Sequence, residues 1–128
     1  MLKDELPKIV TQTVPGPKAA AVLARRRQAI PDAIGTIYPT VIQRGEGAMF
    51  EDVDGNYFLD WVGGVGVLNI GYSQPEVVKA VQDQAGKYFH AMANIVTHEG
   101  YVAWRKNSNA IAPVKGRQEA LLLHQQRR

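Results

Sequence analysis

A small α+β fold is what this sequence predicts, and three observations lead to it. Short runs of β-branched and aromatic residues between Thr40 and Trp61 are separated by turn residues. Helix-forming runs stand on both sides of them, and a glycine-rich stretch holding Gly63, Gly64, Gly66 and Gly71 connects the last strand to a well-marked helix start. At 128 residues the chain can hold one domain with a modest core, and 45% hydrophobic against 21% charged residues is a globular balance.

The elements follow in order. Residues 1–17 contain Pro7, Pro15 and Pro17 and read as an arm that lies across something or stays loose. "KAAAVLARRRQAI", residues 18–30, is built from good helix formers and stopped by Pro31. Its Arg25, Arg26 and Arg27 are most economically a solvated helix face. "TVIQR", "AMFEDV" and "NYFLDW" predict short strands, and Asp54-Gly55 between the last two is a tight-turn signal, giving an antiparallel hairpin or meander. In "SQPEVVKAVQDQAGKYF" Ser73 is placed to cap a helix, with Glu76 three residues on and Pro75 in the first turn. Val77, Val78, Val81, Ala85 and Phe89 share one side, so that face is predicted to be buried. A further helix is predicted from Glu99 to Ala112, although "WRKNSN" interrupts its apolar pattern.

Several function classes fall away. With no cysteine there is neither a disulfide framework nor a thiolate zinc site, and a reducing cytoplasm is the expected compartment. No stretch approaches the ~20 apolar residues that span a bilayer, and the N-terminus lacks the layout of a signal peptide. Up to Ala103 there are nine basic and eleven acidic residues; after it there are six and one. The excess of positive charge therefore sits in the tail, without the interleaved aromatics of a base-stacking surface, and no nucleic-acid partner is expected. His90, His98 and His124 show no metal-ligand spacing, and Ser73 and Ser108 offer no convincing nucleophile. "GGVGVLNIG" lacks the Gly-Lys-Ser/Thr ending of a phosphate loop. Its glycines serve either a molecule that fits against bare backbone or a close backbone crossing.

The run "FEDVDGNYFLDWVGGVGVLNIGYSQPEVVKAV", with "RRRQAIPDAIGTIYPTVIQRGEG" before it and "THEGYVA" after it, resembles the N-terminal part of class III pyridoxal-phosphate-dependent aminotransferases. The likeness covers residues 18–103 and recurs in "NAIAPVKG", residues 109–116. It implies the small-domain segment of a fold-type I transferase (helix, antiparallel hairpin or meander, helices), lacking the large α/β domain. It further implies a homodimeric parent that moves an amino group from 4-aminobutyrate or a similar ω-amino acid to 2-oxoglutarate, with pyridoxal 5'-phosphate as cofactor. Acetylornithine or ornithine is the alternative substrate class, and a non-catalytic module pairing with a full-length aminotransferase is an alternative role. By this resemblance the glycine segment lines the active site at a dimer interface, with Gly64 and Val65 at the substrate's carboxylate end and Asn94 reaching toward the same pocket. The family's catalytic and cofactor-binding residues belong to the large domain, so none is assigned here, and Lys115 matches no Schiff-base motif.

The resemblance divides the chain into an arm (1–17), a family segment (18–116) and a tail (117–128). Family members carry Leu-Ala-Glu-Lys-Leu where this chain has Trp104 to Ser108. Codons TGG CGG AAA AAC TC preceded by C spell the family words one frame away. Likewise CAC CAA CAG CGG CGC for His124 to Arg128 spells Thr-Asn-Ser-Gly-Ala one base later, the start of the family's phosphate-binding segment. The expectation is a compensated pair of frameshifts near residues 104–108, an uncompensated one near Gly116 and an out-of-frame tail, leaving a truncated, inactive aminotransferase.

Overall fold

The computed structural model describes residues 1–111. They form a 3-10 turn (Leu2–Asp4), α1 (Pro17–Ala29), β1 (Ile42–Glu46), β2 (Met49–Asp52), β3 (Tyr57–Leu59), a single turn α2 (Gly63–Gly66), α3 (Pro75–Ala85) and α4 (Glu99–Ile111). Among the described residues the architecture is the predicted α+β piece, a three-stranded antiparallel meander, β1-β2-β3, with helices before and after it in the chain. His124, Lys115 and the proposed tail 117–128 lie outside the described residues. The chain divides into two units, Met1–Asp83 and Gln84–Arg128, which are taken separately below.

In the first unit, β2 is the central strand. Gly45, Phe50 and Phe58 form one row across the sheet, Gly45 opposite Phe50 and Phe50 opposite Phe58. The two phenylalanine rings stack at 5.0 Å, a cross-strand aromatic pair of the kind that fixes register. Gly45 leaves the third place in that row empty for the ring of Tyr72; a Cβ there would stand 2.4 Å from Tyr72 Cγ. Among the described residues of this unit, Met49, Leu2 and Ala19 are the buried apolar ones, so its core is thin and centred on β2 and the N-terminal turn.

The arm lies along the sheet. Its 3-10 turn packs on β1 and β2, and Lys8 forms an antiparallel bridge with Tyr57 on the outer edge of β3. Pro17 opens α1 at a position where its missing N–H costs nothing, and the helix ends at Ala29 before Pro31. The helix has no cap of its own. Lys18 N–H and Ala19 N–H instead donate to the two carboxylate oxygens of Asp54, both at 2.8 Å. Asp54 belongs to the β2–β3 turn, which closes with Gly55 at φ 87°.

Two expectations about α3 are corrected. Ser73 does not cap it; Ser73 sits at φ 52°, and Gln74 takes the role, its Oε1 accepting from Glu76 N–H at 2.7 Å and Val77 N–H at 3.3 Å. The helix starts at Pro75, so Gln74 is the residue directly before the first turn and its side chain, not that of Ser73, reaches the free N–H groups. Nor is the apolar face covered: Val77, Val78 and Val81 are exposed, and beyond the helix Phe89 is 92% exposed.

In the second unit, α4 runs unbroken through residues 104–109. Asn and Ser cost only tenths of a kcal/mol, on the order of 0.5, in a helix interior, so "WRKNSN" changes which faces are apolar without stopping the helix. His98 begins it by accepting Tyr101 N–H on Nδ1 at 3.2 Å, and its ring lies against those of Tyr88 and Tyr101. Among the described residues no helix is long and apolar enough to cross a membrane.

Candidate functional site

The site is the loop from Asp60 to Tyr72, carried by the end of β3. Asp60 N–H donates to Ala48 C=O at 2.8 Å, which fixes where the loop leaves the sheet. From there Asp60 folds the chain back on itself. Its Oδ1 accepts Val62 N–H at 2.8 Å and Gly63 N–H at 2.9 Å, and its Oδ2 accepts the Tyr72 hydroxyl at 2.7 Å. One carboxylate thus ties both ends of the loop.

Between those ends, α2 turns with the opposite hand to an ordinary helix. Gly63, Gly64, Val65 and Gly66 have φ of 55°, 62°, 61° and 79°, yet Val67 N–H reaches Gly63 C=O at 2.9 Å as in one helical turn. Three of these positions are glycine because the left-handed region is free of penalty only without a Cβ. The fourth is Val65, a β-branched residue at φ 61°, ψ 48°, where such a side chain is a genuine outlier. Val65 is also 87% exposed, so no packing among the described residues rewards the strain.

The glycines divide between the two uses left open by the sequence. At Gly63 and Gly66 an added Cβ would meet nothing within 4 Å, so these face open space. At Gly71 it would meet Gly47 O at 2.6 Å, because two backbones cross there. The crossing is a short antiparallel bridge: Gly47 N–H donates to Tyr72 C=O at 3.0 Å, and Tyr72 N–H returns to Gly47 C=O at 2.7 Å.

A cavity of about 300 Å³ lies under the loop, lined by Gly47, Ala48, Asp60, Gly63 and residues 68–72. The Tyr72 hydroxyl holds the Asp60 carboxyl below its usual range, against the opposing effect of burial and with help from the Gly63 and Val62 N–H groups. Burial, followed by the same hydrogen bond, pushes the Tyr72 phenol up to about 12. At neutral pH the pair is therefore a carboxylate accepting from a neutral phenol.

Gly64 and Val65, predicted as substrate contacts, sit together on α2. Asn94 belongs to the second unit, exposed in a turn that Ile95 N–H closes onto Met92 C=O at 2.8 Å. Asp60 and Tyr72 carry the loop's geometry and are not among the residues singled out from the sequence, although both lie within the run that carries the family resemblance. Among the described residues no group of acidic or histidine side chains is arranged to hold a metal.

Comparisons with known proteins agree on one family. The profile described as "Aminotransferase class-III" matches residues 32–124. The chain is 36% identical over 117 residues to a 4-aminobutyrate aminotransferase of Mycobacterium bovis, covering 91% of this chain and 26% of that protein. It is 35% identical over 102 residues to a 4-aminobutyrate aminotransferase of Escherichia coli, covering 80% of this chain and 24% of that one. Among solved structures, an omega-transaminase from Sphaerobacter thermophilus superposes with a TM-score of 0.68 at 26% identity, over 78% of this chain and 24% of its own. The chain spans about a quarter of the length of the curated relatives it matches.

Pyridoxal phosphate is the cofactor this family implies. The cavity does not fit it. Among the described residues its lining offers one carboxylate, already engaged by Tyr72, and no lysine or arginine to hold a phosphate or anchor an aldehyde.

Proposed function

The chain belongs to the class III aminotransferase family, and from that premise we propose that it is the N-terminal part of an enzyme that transfers the amino group of 4-aminobutyrate, or of a similar ω-amino acid, to 2-oxoglutarate. The similarity to 4-aminobutyrate aminotransferases along most of the chain carries this reading. In the whole enzyme, a cytoplasmic homodimer, pyridoxal phosphate supplies the electron sink for the reaction. This chain's share is positional. Gly64 and Val65 border the substrate's carboxylate end on the exposed face of α2, held at that place by Asp60 and Tyr72, and Asn94 supplies a separate polar contact.

The 128-residue chain by itself is inactive. Incubated with pyridoxal phosphate, 4-aminobutyrate and 2-oxoglutarate, it forms no glutamate and shows no cofactor absorbance that survives dialysis; a retained band overturns this. Residues 104–108 and 117–128 are out-of-frame translation, and gene codons unable to spell the family words in the shifted frames refute that. A chain extended along the restored frame forms glutamate from 4-aminobutyrate. Activity with acetylornithine or ornithine alone moves the substrate assignment to that class.

A second reading, a non-catalytic module that pairs with a full-length aminotransferase, is favoured by the exposed Trp61, Val67 and Ile70 on the loop. Co-purification with the full-length enzyme is its test.

A further inference from the structure

Three buried or shared contacts converge on the N-terminal arm. Asn56 is 0% exposed, and its Oδ1 accepts two backbone donors from the arm, Val10 N–H at 2.8 Å and Thr11 N–H at 3.2 Å, with the Thr11 hydroxyl, whose nearer acceptor is Thr13 C=O at 2.8 Å, 3.1 Å away. Asp52, 1% exposed, holds Asn56 from the other side, its Oδ2 accepting Asn56 Nδ2–H at 2.8 Å and its Oδ1 accepting Asn56 N–H at 2.8 Å. Two residues earlier in the arm, Lys8 N–H donates to Tyr57 C=O at 3.0 Å, Tyr57 N–H donates to Lys8 C=O at 2.8 Å, and the ammonium lies 4.3 Å over the Tyr57 ring. At its start the arm buries Leu2.

A turn needs neither an asparagine with both ends engaged nor a fully buried aspartate. Asn56 faces the arm and Asp52 holds it there, so their arrangement answers to the arm. The arm in turn reaches the candidate site, because Lys3 packs against Gly47: a Cβ on Gly47 would stand 3.1 Å from Lys3 Cβ. Gly47 is the residue that carries the Gly71–Tyr72 crossing and lines the cavity. The connection runs through touching groups, from Asn56 to the arm, from Lys3 to Gly47, and from Gly47 to Tyr72.

We infer that Asn56 is a positioning residue: it clasps residues 10–11 of the arm, beside the Lys8–Tyr57 bridge, to the sheet so that the arm's first turn backs Gly47 and holds the Asp60–Tyr72 loop over its cavity. This rests on the geometry alone and stands whether or not the parent enzyme acts on 4-aminobutyrate. The arm is a strap, and its release loosens the loop.

Backbone hydrogen exchange on the 128-residue chain tests it, with amide groups that report each step. In Asn56→Ala the Val10 and Thr11 amides lose their acceptor and exchange about tenfold faster or more, and the Gly47 and Tyr72 amides at the crossing speed up with them, while β2 amides keep their protection. Lys8→Pro removes one bridge donor, leaves the Asp52–Asn56 pair intact and gives the same pattern, which keeps the inference testable if Asn56→Ala does not fold. Asn56→Ala with an unchanged arm refutes the clasp. An arm that loosens in Lys8→Pro while Gly47 and Tyr72 stay protected refutes the coupling to the loop. Protection lost evenly across the sheet in both variants refutes it as well, since that is a loss of fold rather than a released strap.

Discussion

Two turns leave the same small sheet and are built on opposite principles. The β2–β3 turn is wrapped by its own side chains: Asp52 Oδ1 accepts Asp54 N–H at 2.9 Å and Asn56 N–H at 2.8 Å, and Asp52 and Asn56 are both buried. The α2 turn, a few residues on, has four consecutive left-handed residues and a strained valine; Asp60 ties its start, and backbone bonds such as Val67 N–H to Gly63 C=O close it. The first turn organises structure, since it also caps α1 and clasps the arm. The second keeps backbone bare and exposed, which makes sense where something outside this chain comes to lie.

The largest effect that would break this contrast is expected at Asp52. Asp52→Ala strands three donors in a buried place and should cost about 3 kcal/mol in urea unfolding, whereas Asp60→Ala, in a partly exposed place, should cost about 1 kcal/mol. Equal losses would mean the two turns do the same job.

Glycines sharpen the comparison within the loop. Gly71→Ala drives a Cβ to 2.6 Å from Gly47 O at φ 81° and should cost about 3 kcal/mol. Gly66→Ala at φ 79° meets only open space, so it should cost about 1 kcal/mol, from backbone strain alone. A thermal unfolding series on both variants separates crossing from strain.

Val65→Gly should go the other way. Releasing a β-branched residue from the left-handed region is worth about 2 kcal/mol, and the added freedom of the unfolded chain takes back about 1, so the variant should unfold about 1 kcal/mol later. A less stable variant would show that the valine side chain is supported after all.

The smallest effect is in pH. Asp60 titrates below the ordinary carboxylate value of 3.8 when folded, so its contribution is complete above that value and disappears as pH falls through the lower folded one. Tyr72 is raised from 10.0 to about 12, so its contribution is complete below 10 and is lost as pH climbs toward 12, where a phenolate would face the Asp60 carboxylate. Stability measured against pH should lose its share of alkaline decline in Tyr72→Phe.

Much of this was legible in local patterns. Pro17 and Pro31 bracket α1, Asp54-Gly55 marks the hairpin, Pro75 opens α3, and the motif order around the glycines identified the family, because each of these signals acts within a few residues of where it is read. The cap on α3 was misplaced by one residue, since Ser73 and Gln74 both have a side-chain oxygen and only the backbone angle chose between them. Asp54 illustrates the deeper limit: it reads as a turn residue, yet its carboxylate also caps a helix 36 residues earlier in the chain.

By itself, then, the sequence determined the order of elements, the sites where the backbone must bend and the family to which the chain belongs. Tertiary structure alone decided that Gly71 serves a crossing while Gly63 and Gly66 stay open, that Asn56 holds the arm, and that the valines of α3 go uncovered. The reason is physical. Propensity and turn chemistry act between near neighbours, whereas the partner of a buried carboxylate or a bare backbone is whatever distant segment folding brings beside it.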